Sequence, residues 1–488
     1  MSLPVGFSVT LDPSVLRADG GRLLVGGSPM TALRLSPAAA ARLDGGRLVV
    51  TDEASSRLAD RLLSTNLARP DLGDAPPLPI ADLTVVVPVR DRADQLDRCL
   101  AALHPLDVVV VDDASLDPTA VAAVVWRHGA TLVSLSVNLG PAGARNAGLA
   151  HVTTPVVAFV DSDVQADAEA LVRLARHLDD PAVALVGPRV VGHSRATRPR
   201  WFERYDVVAS SLSLGSTPAT VRPGASVAWL PSACLVGRTA LLGSGFDTAM
   251  RVGEDVDLVW RLGDAGHRIR YDPDIVARHD VRTTVRSWLG RKMLYGTGGA
   301  DLGQRHGSLV APAVLSPTLA VAGAALLLRR RWSLPVVSTV YAVATWSVAR
   351  GLPGSVDRRT RMRIAARLAG RGLGWAARQE SALLLRHWWP VTAVGLPSAH
   401  LRRALVTAVL IDTCVAVREA GGAGEPSLPL PVLFTGRRLD DLAYGTGLWW
   451  GAIRRRSLTA LAPRRASVVR GRVRARPSRA SRPSGSCL

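Results

Sequence analysis

The chain has 488 residues, which makes two or three units the expectation, and 48% of them are hydrophobic, enough to bury a full core. A net charge of +20 and a pI of about 11.3 admit nucleic acid, anionic lipid or a phosphorylated ligand as partner. Mean hydropathy of +0.17 alongside 20% charged residues argues against a uniformly soluble chain and for a soluble part joined to a very apolar one.

The arginines crowd the last third, lack interleaved aromatics and sit beside apolar runs. That favours anionic membrane lipid over nucleic acid, and no nucleic-acid partner is expected. The cysteines, Cys99, Cys234, Cys414 and Cys487, have no metal-ligand spacing and form no disulfide framework. The opening MSLPVGFSVTLDP lacks the basic and long apolar stretches of a secretory signal, so the expectation is a chain that starts in the cytosol.

Residues 1–70 read as a small α+β module. FSVTLD and RLLVGG are strands, LSPAAAARL is a helix after a Ser cap and a Pro, and a second helix runs through ASSRLADRLLSTNLA. Residues 71–81, rich in Pro and Asp, read as a linker. From 82 to 300, Val-rich strands (LTVVVPV, DVVVVDD, ATLVSL, PVVAFVDSD) alternate with helices such as ADQLDRCLAAL and GPAGARNAGLAHV. The pattern predicts an α/β domain around a mostly parallel sheet, with ligands beyond the carboxyl ends of the strands.

Residues 309–328 carry no charge over twenty positions, enough for about 30 Å of helix. RRRW and a further seventeen uncharged residues follow. Two membrane segments over 309–349 are expected, although a double crossing would put Arg329, Arg330 and Arg331 on the wrong side. One span, a re-entrant hairpin or two helices on the surface would avoid that. The catalytic part is then expected on the cytoplasmic face of the cell membrane. Residues 350–462 read as further helices and 463–488 as a disordered basic tail.

The chemistry concentrates at strand ends. In FVDSDV, Asp161 and Asp163 leave a buried strand two residues apart. Hard divalent cations, Mg2+ or Mn2+, bind such carboxylates and bridge them to phosphate oxygens. Asp112 and Asp113 close another strand, where acids accept hydrogen bonds from a ribose or a base N–H or else cap the following turn. In NLGPAGARNAG, Gly140 admits close backbone approach, Arg145 suits a phosphate and Asn146 a sugar or the backbone. In GEDVDLVWRL, Glu254, Asp255 and Asp257 gather at a helix start, either to cap it or to supply a general base, with Arg261 one turn on. His279, in ARHD, is a candidate third metal ligand.

Together VVVPVRD, VVVDDAS, NLGPAGARNAG, FVDSD and GEDVDLVWRL resemble, in order and approximate spacing, family 2 inverting glycosyltransferases of the GT-A fold. The resemblance implies nucleotide-sugar contacts from Pro88, Arg90, Asp91, Asp112, Asp113, Gly140, Arg145, Asn146 and Asp161. It implies a metal on Asp161, Asp163 and His279, Asp255 as catalytic base, and Glu254, Asp257 and Arg261 on the acceptor side. The family's processivity motif Q-x-x-R-W is replaced by RTTVRSWLGRKMLYG. LPVGFSVTLDP, RHWWP and RRLDDLAYGTGLWWG resemble a narrower group, the mycofactocin glycosyltransferases of actinobacteria. That resemblance implies UDP-glucose as donor, a peptide-derived redox cofactor or its precursor as small-molecule acceptor, and β-linked glucose. Residues 1–70 also resemble small peptide-recognition modules. The alternatives are a lipid or cell-wall glycosyltransferase with a membrane acceptor, and a nucleotidyltransferase.

Overall fold

The computed structural model describes residues 2–73, 78–421 and 428–466. Its amino-terminal part is two small antiparallel sheets and a helix around Val9, Leu24, Leu48 and Leu62, all buried. The helix Glu53–Ser64 starts at Asp52, whose carboxylate accepts from the Ser55 N–H while Ser55 answers the Asp52 N–H. Reciprocal capping of this kind satisfies two otherwise unpaired donors.

The central layer is a nine-stranded mixed sheet. Strands β1 (Leu83–Val89), β2 (Asp107–Asp112), β3 (Thr131–Ser134) and β4 (Val156–Val160) run parallel, in the order β3-β2-β1-β4. Helices α1 (Ala93–Leu103), α2 (Pro118–Arg127) and α3 (Gly140–Leu149) connect them. Beyond β4 the sheet continues through β7 (Cys234–Arg238), β6 (Val183–His193), β8 (Arg268–Asp280) and the short β5 (Val164–Gln165), and the ninth strand, Ala219–Thr220, also pairs with β8. β7 lies antiparallel to both β4 and β6, and β5 antiparallel to β8, while β6 and β8 pair in parallel, so the expected mostly parallel sheet is interrupted by β7 and resumes beyond it. CLVGR is a short run, and nothing in its own pattern sets its direction. Valines of β1, β2 and β4 fill both faces, as strands covered on two sides require.

Helix α4 (Glu254–Asp264) follows the sheet's Cys234 strand, and α5 (Val285–His306) leads into the carboxyl-terminal helices. These are α6 (Pro317–Leu328), α7 (Ser333–Gly351), α8 (Arg358–Ala382), α9 (Ala399–Gly421) and α10 (Leu430–Arg455). The expected membrane-spanning segments are corrected here. Among the described residues no helix is long and apolar enough to cross a membrane. The uncharged stretch 309–328 divides into a short turn, the strand Val314–Leu315 and twelve residues of helix started by Pro317, about 18 Å long. Of the basic tail, Arg464–Arg465 pairs with Val314–Leu315, and residues 467–488 lie outside the described residues.

The amino-terminal module is stitched to both other parts. The Asn66 side-chain amide donates to the Thr220 carbonyl at 3.1 Å and its oxygen accepts the Thr220 N–H, imitating a strand pairing. Arg268, on β8, is held between Asp60 of the module and Asp180. Leu23 and Val25 pack on Leu352, Val356 and Ile364 of the carboxyl-terminal region.

Candidate active site

A cavity of about 1260 Å³ opens at the carboxyl ends of β1, β2 and β4. It is larger than the roughly 300–1,000 Å³ of a typical single-ligand pocket. The sheet side contributes Pro88, Arg90, Asp91, Asp113, Gly140, Asp161, Asp163 and His279, and α4 contributes Glu254 and Asp255.

Asp161 and Asp163 sit on the tight turn that ends β4, with the Val164 N–H donating to the Asp161 carbonyl. Asp163 is almost fully buried and ion-paired to Arg92 and, at 3.4 Å, to Arg282. Burial alone would raise its carboxyl, but His279, Arg92 and Arg282 hold it well below the usual carboxylate range. His279 lies 3.6 Å from the same oxygen, close to the roughly 3 Å between neighbouring ligands of one octahedral cation. Asp161 instead faces Arg145 at 2.6 Å. The oxygen and imidazole donors therefore fit Mg2+ or Mn2+ in kind, while the expected set of three is not drawn together. Among the described residues no three His, Cys, Asp or Glu side chains form a ready metal cluster. Guanidinium charges stand where the cation's charge was expected.

Arg145 is buried and reaches two motifs at once, Asp161 at 2.6 Å and Glu254 at 3.1 Å, with Phe246 beneath it. Arg145 borders the cavity where a phosphate contact is expected of it, and its ends rest on carboxylates of the site's own frame. Glu254 is buried on the same guanidinium. Asp255, beside it, accepts from the Val256 N–H at 2.8 Å and the Ser232 N–H at 3.3 Å, and borders the cavity. Burial first, and then the Glu254 charge, push Asp255 up to about 7. A carboxylate so poised takes up a proton at neutral pH.

Other expectations resolve differently. Both Asp113 oxygens accept backbone N–H groups, of Leu139 at 2.6 Å and Gly140 at 2.9 Å, and so fix the loop entering α3 at the cavity wall. Gly140 takes a φ of +74° there, a value that favours glycine. Asp112 caps Ser115 and does not border the cavity. Asn146 spends its amide on the Phe246 backbone, donating at 2.7 Å and accepting at 2.8 Å. Asp257 and Arg261 also stand away from the cavity lining. Asp257 is buried among Arg261 at 2.7 Å, His306 at 2.9 Å and Arg305 at 3.4 Å, a frame that ties α4 to α5. An Asp257→Asn variant should lose about 2 kcal/mol in urea unfolding and keep its turnover within a few-fold. A rise in acceptor KM at unchanged stability would return Asp257 to the acceptor side.

Residues that motif reading passed over complete the wall. Arg92, Arg282, Arg291 and Tyr295 gather near Asp163. Arg386, His387, Arg437, Asp440 and Tyr444 from the carboxyl-terminal region line the same cavity. Arg386 lies 3.9 Å over the Tyr444 ring, and Asp440 pairs with Lys292 at 3.1 Å through one oxygen. RHWWP and RRLDDLAYG, which carried the narrower resemblance, thus supply one side of the cavity.

The glycosyl transferase family 2 model matches residues 84–224, and the glycosyl transferase family group 2 model matches residues 156–407. The pre-mycofactocin glycosyltransferase of two Mycobacterium tuberculosis strains is 40% identical over 476 residues, 94% of this chain and 98% of that one. The O-antigen chain rhamnosyltransferase of Salmonella typhimurium is 23% identical over 42% of this chain and 68% of its own. A solved mannosyltransferase of Pyrobaculum calidifontis, in complex with GDP-Man and Mn2+, covers 69% of this chain and 89% of its own, at 22% identity and a TM-score of 0.37. An α/β sheet with acids at its strand ends, the matching models and a relative alike along nearly its whole length make the chain a member of glycosyltransferase family 2, similar to the pre-mycofactocin glycosyltransferase.

Proposed function

We propose that the chain transfers glucose from UDP-glucose, with inversion, onto a peptide-derived redox cofactor or its precursor, mycofactocin being the acceptor that the relative's name indicates. The observation that carries the reading is Asp255, poised near neutral pH across one cavity from Asp161 and Asp163.

In this mechanism Asp255 takes the proton of an acceptor hydroxyl as that oxygen attacks the anomeric carbon. Attack from the face opposite the leaving nucleotide turns an α-linked donor into a β-linked product. The Ser232 and Val256 N–H donors keep the base aimed. Arg92 and Arg282 place positive charge beside the leaving group's side of the cavity, where charge builds in the transition state. A divalent cation held by Asp161, Asp163 and His279 would supply further neutralisation of the departing diphosphate. The acceptor enters from the side walled by Arg386, Arg437, Asp440 and Tyr444.

The test is mass spectrometry of products after incubation with UDP-glucose, Mg2+ or Mn2+ and a small-molecule extract of the source organism. Mass increments of one hexose on a peptide-derived acceptor, with UDP released, are expected. Increments on lipids would favour a membrane acceptor, and release of diphosphate a nucleotidyltransferase. In the same assay Asp163→Ala should lower transfer about a hundredfold with the cation saturating. Activity within a few-fold of the parent would remove that carboxylate from the donor site.

A further inference from the structure

The four helices α6 to α9 pack on one another with their hydrophobic pattern inverted. Their buried positions are mostly Ala, Gly, Ser and Thr, with Leu327 and Ile364 the large apolar exceptions. Their large apolar side chains face outward instead. Leu334 is 74% exposed, Val343 51%, Trp346 57% and Leu410 54%. On α9, Val406, Leu410 and Val417 repeat at helical spacing on the outer side. A bundle formed in water places such residues inside. Small residues inside and large apolar residues outside is the arrangement of helices packed within lipid.

The charges say which lipid. Residues 317–421 hold fifteen arginines, no lysine and four acids. Exposed arginines stand at helix ends, Arg329 and Arg331 between α6 and α7, Arg350 in the last turn of α7, and Arg402 and Arg403 at the start of α9, and along α8 at Arg358, Arg359, Arg363, Arg367 and Arg371. Trp332 and Trp346 lie in the same stretch, and Arg350 rests on the Trp346 ring at 4.4 Å. Aromatics and arginines beside an apolar surface are the residues of a bilayer interface. No described helix is long and apolar enough to cross the bilayer. We propose that α6 to α9 are an interfacial anchor, set into one leaflet of an anionic bilayer with the Leu334–Trp346 and Val406–Val417 surfaces among the acyl chains and the arginines at the headgroups. The anchor is independent of which acceptor the cavity takes.

The full chain, transferred from detergent to vesicles, tests this by flotation. With equal parts phosphatidylglycerol and phosphatidylcholine, the protein should float at low and at high salt, because apolar insertion outlasts screening. Brominated acyl chains should quench its tryptophan fluorescence, and less so in Trp332→Phe/Trp346→Phe. The triple variant Leu334→Glu/Val343→Glu/Leu410→Glu changes exposed positions, so its melting and its UDP-glucose hydrolysis should match the parent while its vesicle partitioning falls about a hundredfold. Three results overturn the anchor. One is a parent chain that stays soluble beside these vesicles. Another is a triple variant that floats as well as the parent. The last is a detergent-free dimer by light scattering that the same three substitutions dissociate, which would assign the surface to a second copy.

Discussion

Asp255→Asn should lower kcat by about a thousandfold or more while UDP-glucose binding stays within a few-fold. The amide keeps the shape and its one oxygen can still accept from the Val256 N–H, the shorter of the two bonds to Asp255, but it cannot take the acceptor's proton. The pH profile is part of the same expectation. Burial and the Glu254 charge put the base at about 7, so parent turnover should climb as pH rises through neutrality and level off above it. The variant's residual activity should lack that limb. Stability should move the other way. A carboxyl raised in the folded state holds its proton to about 7, whereas in the unfolded chain it ionises near 3.8. Over that window the folded chain binds more protons, so the group's contribution is present below 3.8 and is lost as pH rises to about 7. Asp255→Asn removes the loss, and above pH 7 the variant should melt a few degrees higher than the parent. A variant that turned over normally would require another base, and Glu254, fixed on Arg145, is the neighbour to try next.

Arg145→Met should be the most destabilising single change in the site. The guanidinium is enclosed and neutralises Asp161 and Glu254 together. Without it, Glu254 stays buried next to Asp255 with no cation, and breaking a buried pair from one side costs about 3–5 kcal/mol. Urea unfolding at neutral pH should show a loss of that size. Arg145→Met/Glu254→Gln should recover much of it, because the stranded charge goes with the partner. Transfer should be lost in both, since Asp161 and Asp255 are no longer held to one frame. A loss below about 1 kcal/mol would mean that water, not Arg145, satisfies Glu254.

Much of the catalytic half was legible from its residues. Buried strands advertise themselves by runs such as Leu83–Val89 and Val156–Val160, and the acids that end them stand where a parallel sheet presents ligands. What patterns of type and spacing do not encode is the partner a side chain chooses. Arg145 and Asn146 are adjacent in one motif, yet one spans two carboxylates and the other closes on the Phe246 backbone. Asp255 and Asp257 share a helical turn, and their positions on it separate a cavity base from a buried strut. Arg92 and Arg282 come to Asp163 from 71 and 119 residues away, a distance no local window sees. The apolar stretch 309–328 was misread as a span because hydropathy sums over residues, while Pro317 decides where its helix begins.

The longest strand of the sheet joins two events that would otherwise be remote. β8 runs thirteen residues, about 40 Å, from Arg268 to Asp280. At one end it is gripped by Asp60 of the amino-terminal module, and near the other it presents His279 to the cavity. Its pairing with β6 slips between Asp272 and Val276, so the module's grip on Arg268 and the imidazole of His279 belong to one strand but lie on opposite sides of that break in register.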